Sequence, residues 1–101
     1  DVHAGGHLPK LAELVRDKKV FLTIDLDGFD PAFVPATGTP EPGGLNWAQV
    51  LDIIRTVVSA GDVVAADCVE LAPLPGLHAS DFLAAKLIYK VIGLILKKRN
   101  A

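Results

Sequence analysis

Methionine is absent from these 101 residues, cysteine, tryptophan and tyrosine occur once each, and positive charge is in short supply. With Asp1 as the first residue, the missing methionine leads us to expect a preceding segment in the encoded protein. The single cysteine, Cys68, excludes an internal disulfide. It lies in an apolar run, so a buried thiol and the reducing cytoplasm are expected. The longest apolar stretch, Leu83 to Leu96, is interrupted by Lys86 and Lys90 and is too short to span a bilayer, and no basic-apolar leader occupies the amino end. Ten Lys and Arg against twelve Asp and Glu leave a net charge of -2. Neither nucleic acid nor a membrane is therefore an expected partner. The basic triplet Lys97, Lys98 and Arg99 falls where a helix should end and is read as answering its dipole.

Apolar residues, by contrast, are plentiful: they make up 50% of the chain. A chain of this length is one domain at most and buries only about two thirds of its unfolded surface, so some apolar surface is expected to face a partner. Leu8, Leu11, Leu14 and Val15 share one face of a helix over Leu8 to Asp17, with Pro9 tolerated in its first turn. Val20 to Leu26 is a nearly continuous apolar run, the pattern of a parallel strand covered on both faces. From Asp30 to Gly44, four prolines and three glycines forbid regular structure, and a loop of that length points mildly to a binding site. Gly38, Gly43 and Gly44 are expected to serve turns with positive φ.

Asn46 and Gln49 stand at the spacing of a capping box, and Trp47, Val50, Leu51, Ile54, Val57 and Val58 repeat at helical spacing until Gly61. A second strand over Val63 to Val69 completes a right-handed strand, helix, strand unit. A final helix, capped by Ser80, runs to about Lys98. The whole reads as an α/β chain, a βαβα piece with a parallel sheet.

Three carboxylates, Asp25, Asp27 and Asp30, cluster at the carboxyl end of the first strand, where open α/β sheets bind their ligands. Asp25 and Asp27 are two apart, so both leave the same face while the strand persists, about 6 to 7 Å apart at the backbone. Two such carboxylates in apolar surroundings would take up protons unless a cation compensated them. Hard oxygen ligands suit magnesium, calcium or manganese, and a set mixing carboxylate with imidazole favours manganese. The competing reading, an Asx-type turn toward Gly28, suits Asp30 best because Pro31 follows it. His3 and His7 are four apart, but Gly5 and Gly6 between them weaken any helix that would align them, and an exposed loop is expected there. Asp67 is read as a hydrogen-bond partner of the ligands or the loop, and His78 as facing solvent.

The run Thr23-Ile24-Asp25-Leu26-Asp27-Gly28-Phe29-Asp30-Pro31, followed by Ala36-Thr37-Gly38-Thr39-Pro40-Glu41-Pro42-Gly43-Gly44, resembles a signature of the ureohydrolases. The likeness continues through Asp67, Val69, Glu70 and Pro73, and it is closer to agmatinases than to arginases. It implies the arginase-like fold, a three-layer α/β/α sandwich around a parallel sheet, of which residues 1–101 would be the carboxyl-terminal part of a single domain. It also implies hydrolysis of a small guanidinium substrate, agmatine foremost, to urea and an amine with two Mn2+ ions, in a cytoplasmic homo-oligomer, trimer or hexamer. Asp25 would bridge both metals and Asp27 would bind one. Glu70 would receive the substrate guanidinium, for which a planar carboxylate is the natural partner. Thr39 would line the same pocket, and no residue of this stretch is assigned a catalytic role of its own. The family's earlier segments, a Gly-Gly-Asp-His and an Asp-Ala-His-x-Asp stretch that supply further ligands, do not occur here.

A haloacid-dehalogenase-like phosphatase would also place Asp-x-Asp-Gly after a buried strand, but it expects a small residue where Phe29 stands and leaves the long loop unexplained. A noncatalytic α/β piece acting as an association module is the remaining alternative.

Overall fold

In the computed structural model, which describes residues 5–101, five regular elements follow one another. They are helix α1 (Leu8–Val15), strand β1 (Lys19–Asp25), helix α2 (Trp47–Ala60), strand β2 (Asp62–Val69) and helix α3 (Ala79–Arg99). The strands pair in parallel, joined by α2 as the crossover. Pairing runs from Lys19 opposite Asp62 to Asp25 opposite Val69, with a bulge between Val20 and Phe21 that skips Val64. The bulge keeps Val20 and Val63 on the same face as Leu22, Ile24 and Cys68.

That face is the packed one. Val20, Leu22, Ile24, Val63 and Cys68 join α2 residues Val50, Leu51, Ile54, Val57 and Val58 and α3 residues Ala84, Leu87 and Val91 in one apolar cluster. Leu26, Phe29 and Leu87 are almost completely enclosed, and each such side chain contributes about 1.5–3 kcal/mol on burial. The other face carries Phe21, Thr23 and Asp25 beside Ala65, Asp67 and Val69, all exposed, and Phe21 is 63% exposed. Double coverage of β1 is therefore not what the described residues form: α2 and α3 lie on one side only. The overall extents, 42 × 30 × 17 Å, have the thickness of two layers. Of the expected three-layer sandwich, the sheet and one helical layer are present.

The local signals act largely as the sequence indicates. Pro9 sits in the first turn of α1. At α2 the Asn46 side chain accepts from the Gln49 N–H at 2.8 Å and the Gln49 side chain accepts from the Asn46 N–H at 2.9 Å, a complete capping box. Gly61 ends α2 with an ordinary negative φ of -102°. Its need is space, since a Cβ there would lie 2.9 Å from Val20 Cγ2 and 3.1 Å from the Val15 carbonyl oxygen. Ser80 does not cap α3. The helix begins at Ala79 with His78 at the cap position, and Ser80 is buried in the first turn. Lys98 and Arg99 serve other elements than their own helix end. Lys98 Nζ donates to the Ser59 carbonyl at 3.0 Å and to that of Gly61, closing the end of α2, while Arg99 Nη2 donates to the Val63 carbonyl at 2.8 Å and pairs with Asp62.

Candidate metal centre

The two aspartates meet through a turn. Strand β1 ends at Asp25, and Leu26–Gly28 form a single 3-10 turn that Asp25 caps, its Oδ1 accepting from the Asp27 N–H at 2.9 Å. The expected alternation along a continuing strand is thus replaced by an Asx-type turn, because enclosing Leu26 and Phe29 in the core bends the chain at this point. The turn occupies Asp25 Oδ1, while the side chain as a whole remains exposed at the end of the sheet.

Asp27 is approached by the long loop. Thr39 Oγ1 donates to Asp27 Oδ2 at 2.6 Å, across twelve residues of sequence. Asp27 Oδ1 is buried and has no hydrogen-bond partner. The carboxyl is held below its ordinary value, chiefly by the Thr39 hydroxyl and then by Thr37, with desolvation opposing and Asp25 adding a smaller lowering. An ionised carboxylate oxygen left buried without a partner is rare in native structures and costly. A bound cation is one ligand that would meet that need.

The loop has its own anchors. Asp30 organises it as expected, its carboxylate accepting from the Ala32 N–H at 2.9 Å and from the Gly43 N–H at 3.0 Å. At its base the Asp30 N–H donates to the Leu45 carbonyl and the Leu45 N–H to that of Gly28, both at 2.9 Å. Val34, Ala36 and Thr37 are buried beneath it. The Ala72 N–H donates to the Ala36 carbonyl at 2.7 Å, tying the loop to the segment that carries Glu70. Of the three loop glycines only Gly43 has positive φ, +82°; Gly44 is needed because a Cβ would lie 2.6 Å from the Asp30 nitrogen and 2.7 Å from the Phe29 carbonyl carbon.

Glu70 directly follows Val69, which pairs with Asp25, so β2 delivers it to the same end of the sheet. Its backbone is left-handed, with φ of +71°. For a residue with a Cβ that conformation costs about 1–2 kcal/mol, and such strain gathers at functional positions. Asp67 accepts from Thr23 Oγ1 at 2.7 Å across the strand pair, on the exposed face that also carries Asp25. The sole thiol, Cys68, is half-buried, and burial pushes it up, with the neighbouring Asp67 and Asp25 adding to the effect. His78 is exposed, with its Nδ1 3.7 Å from Asp81. His3 lies outside the described residues, and His7 stands at the amino end of α1 with both ring nitrogens buried and unpaired.

Structure and sequence therefore agree in bringing Asp25, Asp27 and Thr39 together, with Glu70 at the same sheet end. Among the described residues no group of three His, Cys, Asp or Glu side chains is placed to hold an ion. The donors present fit a divalent cation in kind, hard carboxylate oxygens with one orphaned, and would need others to complete a shell. Sequence reasoning gave Thr37 no part. Its signal was only its place inside the Ala36 to Pro40 motif.

Comparison with known proteins bears on the family and the fold. The arginase family profile matches residues 3–93. Over 79 residues the chain is 51% identical to N(1)-aminopropylagmatine ureohydrolase of Synechocystis, covering 78% of this chain and 26% of that protein. It is 43% identical over 95 residues to the Thermus thermophilus protein of the same name, covering 92% and 31%. A solved structure of a hypothetical agmatinase from Burkholderia thailandensis superposes with a TM-score of 0.85 at 33% identity, over 97% of this chain and 31% of that one. The chain thus spans about a quarter to a third of the length of these relatives. With a family match across nearly its whole length and a fold shared with that solved structure, the chain belongs to the arginase family.

Proposed function

We propose that these residues form the carboxyl-terminal part of a single ureohydrolase domain, which hydrolyses a guanidinium compound of the agmatine type to urea and an amine with two Mn2+ ions. The observation that carries this reading is the buried, unpaired Asp27 Oδ1 beside Asp25 at the end of a parallel sheet. Asp25 and Asp27 would hold the ions, with the remaining donors supplied from outside the described residues. Such ions, when bound, offset the carboxylate charge and make water a usable nucleophile near neutral pH.

The chain's own side chains then divide the remaining work. Glu70 receives the guanidinium, its strained backbone fixing the direction in which the carboxylate leaves the sheet end. Thr39 has spent its only donor on Asp27, so toward substrate it can only accept, which selects an N–H over a carbonyl oxygen. Agmatine is the substrate we favour. Two relatives carry the name N(1)-aminopropylagmatine ureohydrolase, which points to a longer amine at the far end of the same guanidinium. Either product amine suits polyamine formation. The reading carries with it a cytoplasmic homo-oligomer, and no helix among the described residues is long and apolar enough to cross a membrane.

Urea release tests the proposal. The full product of the reading frame that contains these residues, supplied with Mn2+, should release urea from agmatine or N(1)-aminopropylagmatine, and Glu70→Gln should lower kcat/KM by about 100-fold or more, as expected when a charge-assisted pair of about 3 kcal/mol is lost. Absence of urea from every guanidinium compound offered, agmatine, arginine and guanidinobutyrate included, would refute it.

A further inference from the structure

Helix α3 carries apolar side chains on two opposite sides. Ala84, Leu87 and Val91 belong to the core cluster shared with the strands and α2. Phe82, Ala85, Tyr89, Ile92 and Leu96 follow one another at alternating spacings of three and four, which places them on a single stripe facing the other way. Phe82 is 71% exposed, Tyr89 77%, and Ile92 and Leu96 52% each. A helix that is apolar on both sides is one that is covered on both. Taking about 200 Å2 for each aromatic, the stripe offers roughly 500 Å2 of apolar side chain. That is enough for the core of a stable interface, which buries about 800 Å2 per partner.

The rest of the domain has other places to attach. In a three-layer fold helices cover both sheet faces, so the exposed face with Phe21 and Val69 is left for that second helical layer. Beside it, β2 and α3 bound a cleft of about 410 Å3 lined by Ala66, Cys68, Ile88, Val91, Ile92 and Ile95. Phe82, Ala85, Tyr89 and Leu96 lie outside that cleft. They point away from the sheet, and the side of an outer helical layer turned from its sheet is the outside of the domain. We propose that this stripe is a subunit interface whose occupant is α3 of a second copy of the protein, antiparallel about a two-fold axis at Tyr89. Phe82 and Leu96 stand seven residues to either side of Tyr89. An antiparallel copy therefore sets Tyr89 on Tyr89 and Phe82 on Leu96, the self-matching that a two-fold contact requires. Lys86, Lys90 and Lys97 run along one flank, at the rim, where interfaces stay wet. The inference deepens the homo-oligomer of the reading above by naming its surface, and it rests on the whole domain of that reading and not on its metal or substrate. Equivalent copies joined by a two-fold contact are even in number, which selects the hexamer over the trimer.

Sedimentation velocity on the full product of the reading frame tests the inference. The wild type should assemble into an even number of copies. Tyr89→Glu sets two carboxylates against each other across the axis, and should halve the assembled mass or raise the dissociation constant by at least about 100-fold, with the circular dichroism of wild type. Tyr89→Cys should yield a covalent dimer on mild oxidation that the wild type does not form, since the axis brings the two positions together. This second arm does not depend on the glutamate variant folding. A monomeric or trimeric wild type, an assembly unchanged by Tyr89→Glu, or absence of the cross-link in Tyr89→Cys would overturn the inference. An assembled wild type that releases no urea would overturn the metal and guanidinium reading and leave this interface standing.

Discussion

Three glycines in one loop should respond to alanine in three different ways, and the largest response is set by a clash with backbone. At Gly44 an added Cβ would stand 2.6 Å from the Asp30 nitrogen, 2.7 Å from the Phe29 carbonyl carbon and 2.8 Å from its oxygen, where ordinary contact begins at 3.4 Å. Backbone cannot rotate away as a side-chain tip can, so the base of the loop must open. Two hydrogen bonds lie in that base, from the Asp30 N–H to Leu45 and from the Leu45 N–H to Gly28. Losing them costs about 1 kcal/mol each, and forced overpacking adds about 1–3 kcal/mol. Gly44→Ala should therefore destabilise by about 2–4 kcal/mol even where part of the base holds. Gly43→Ala meets no atom within 4 Å but inherits φ of +82°, for a cost of about 1–2 kcal/mol. Gly38→Ala meets neither obstacle and should stay within about 0.5 kcal/mol of wild type. Guanidinium chloride unfolding, read as a change of midpoint at constant slope, separates the three. A Gly44→Ala protein no less stable than Gly38→Ala would refute the reasoning.

Asn46→Ala removes one half of the capping box and strands the other, and should cost about 1 kcal/mol in the same unfolding assay. In metal-free protein, Asp27 lies below its ordinary value of 3.8 chiefly because of Thr39. A lowered folded-state pKa contributes stability that is present in full above the unfolded value and lost as pH falls through the folded one. Thr39→Val should therefore be less stable than wild type at neutral pH, and the gap should narrow as pH falls through that range. A gap of constant size at every pH would contradict this.

The sequence made the framework of the sheet readable because its signals are local and periodic. Val20 to Leu26 and Val63 to Val69 read as strands and became β1 and β2, and Asn46 with Gln49 marked the start of α2 to the residue. Other features depend on distant packing and carry no periodic mark. An apolar run such as that in β1 looks the same whether one face or both are covered, and here Phe21 faces outward. Ser80 reads as the cap of α3, but the helix starts one residue before it, at Ala79, and Ser80 is buried in the first turn. At the site, the pairing of Asp25 with Asp27 was readable and its geometry was not. The strand period gives no warning that Leu26 and Phe29 will pull the chain into a 3-10 turn. The left-handed backbone of Glu70 and the burial of Thr37 likewise follow from how β2 and the loop meet, through the Ala72 to Ala36 hydrogen bond.

Calorimetric titration of Mn2+ into the full product of the reading frame, as wild type, Asp25→Asn and Asp27→Asn, tests most directly whether these two carboxylates hold the ions. The account predicts saturable binding in the wild type and a loss of at least about 10-fold in affinity or of one equivalent in stoichiometry for each variant, with the fold retained. Unchanged Mn2+ binding in both variants would contradict it.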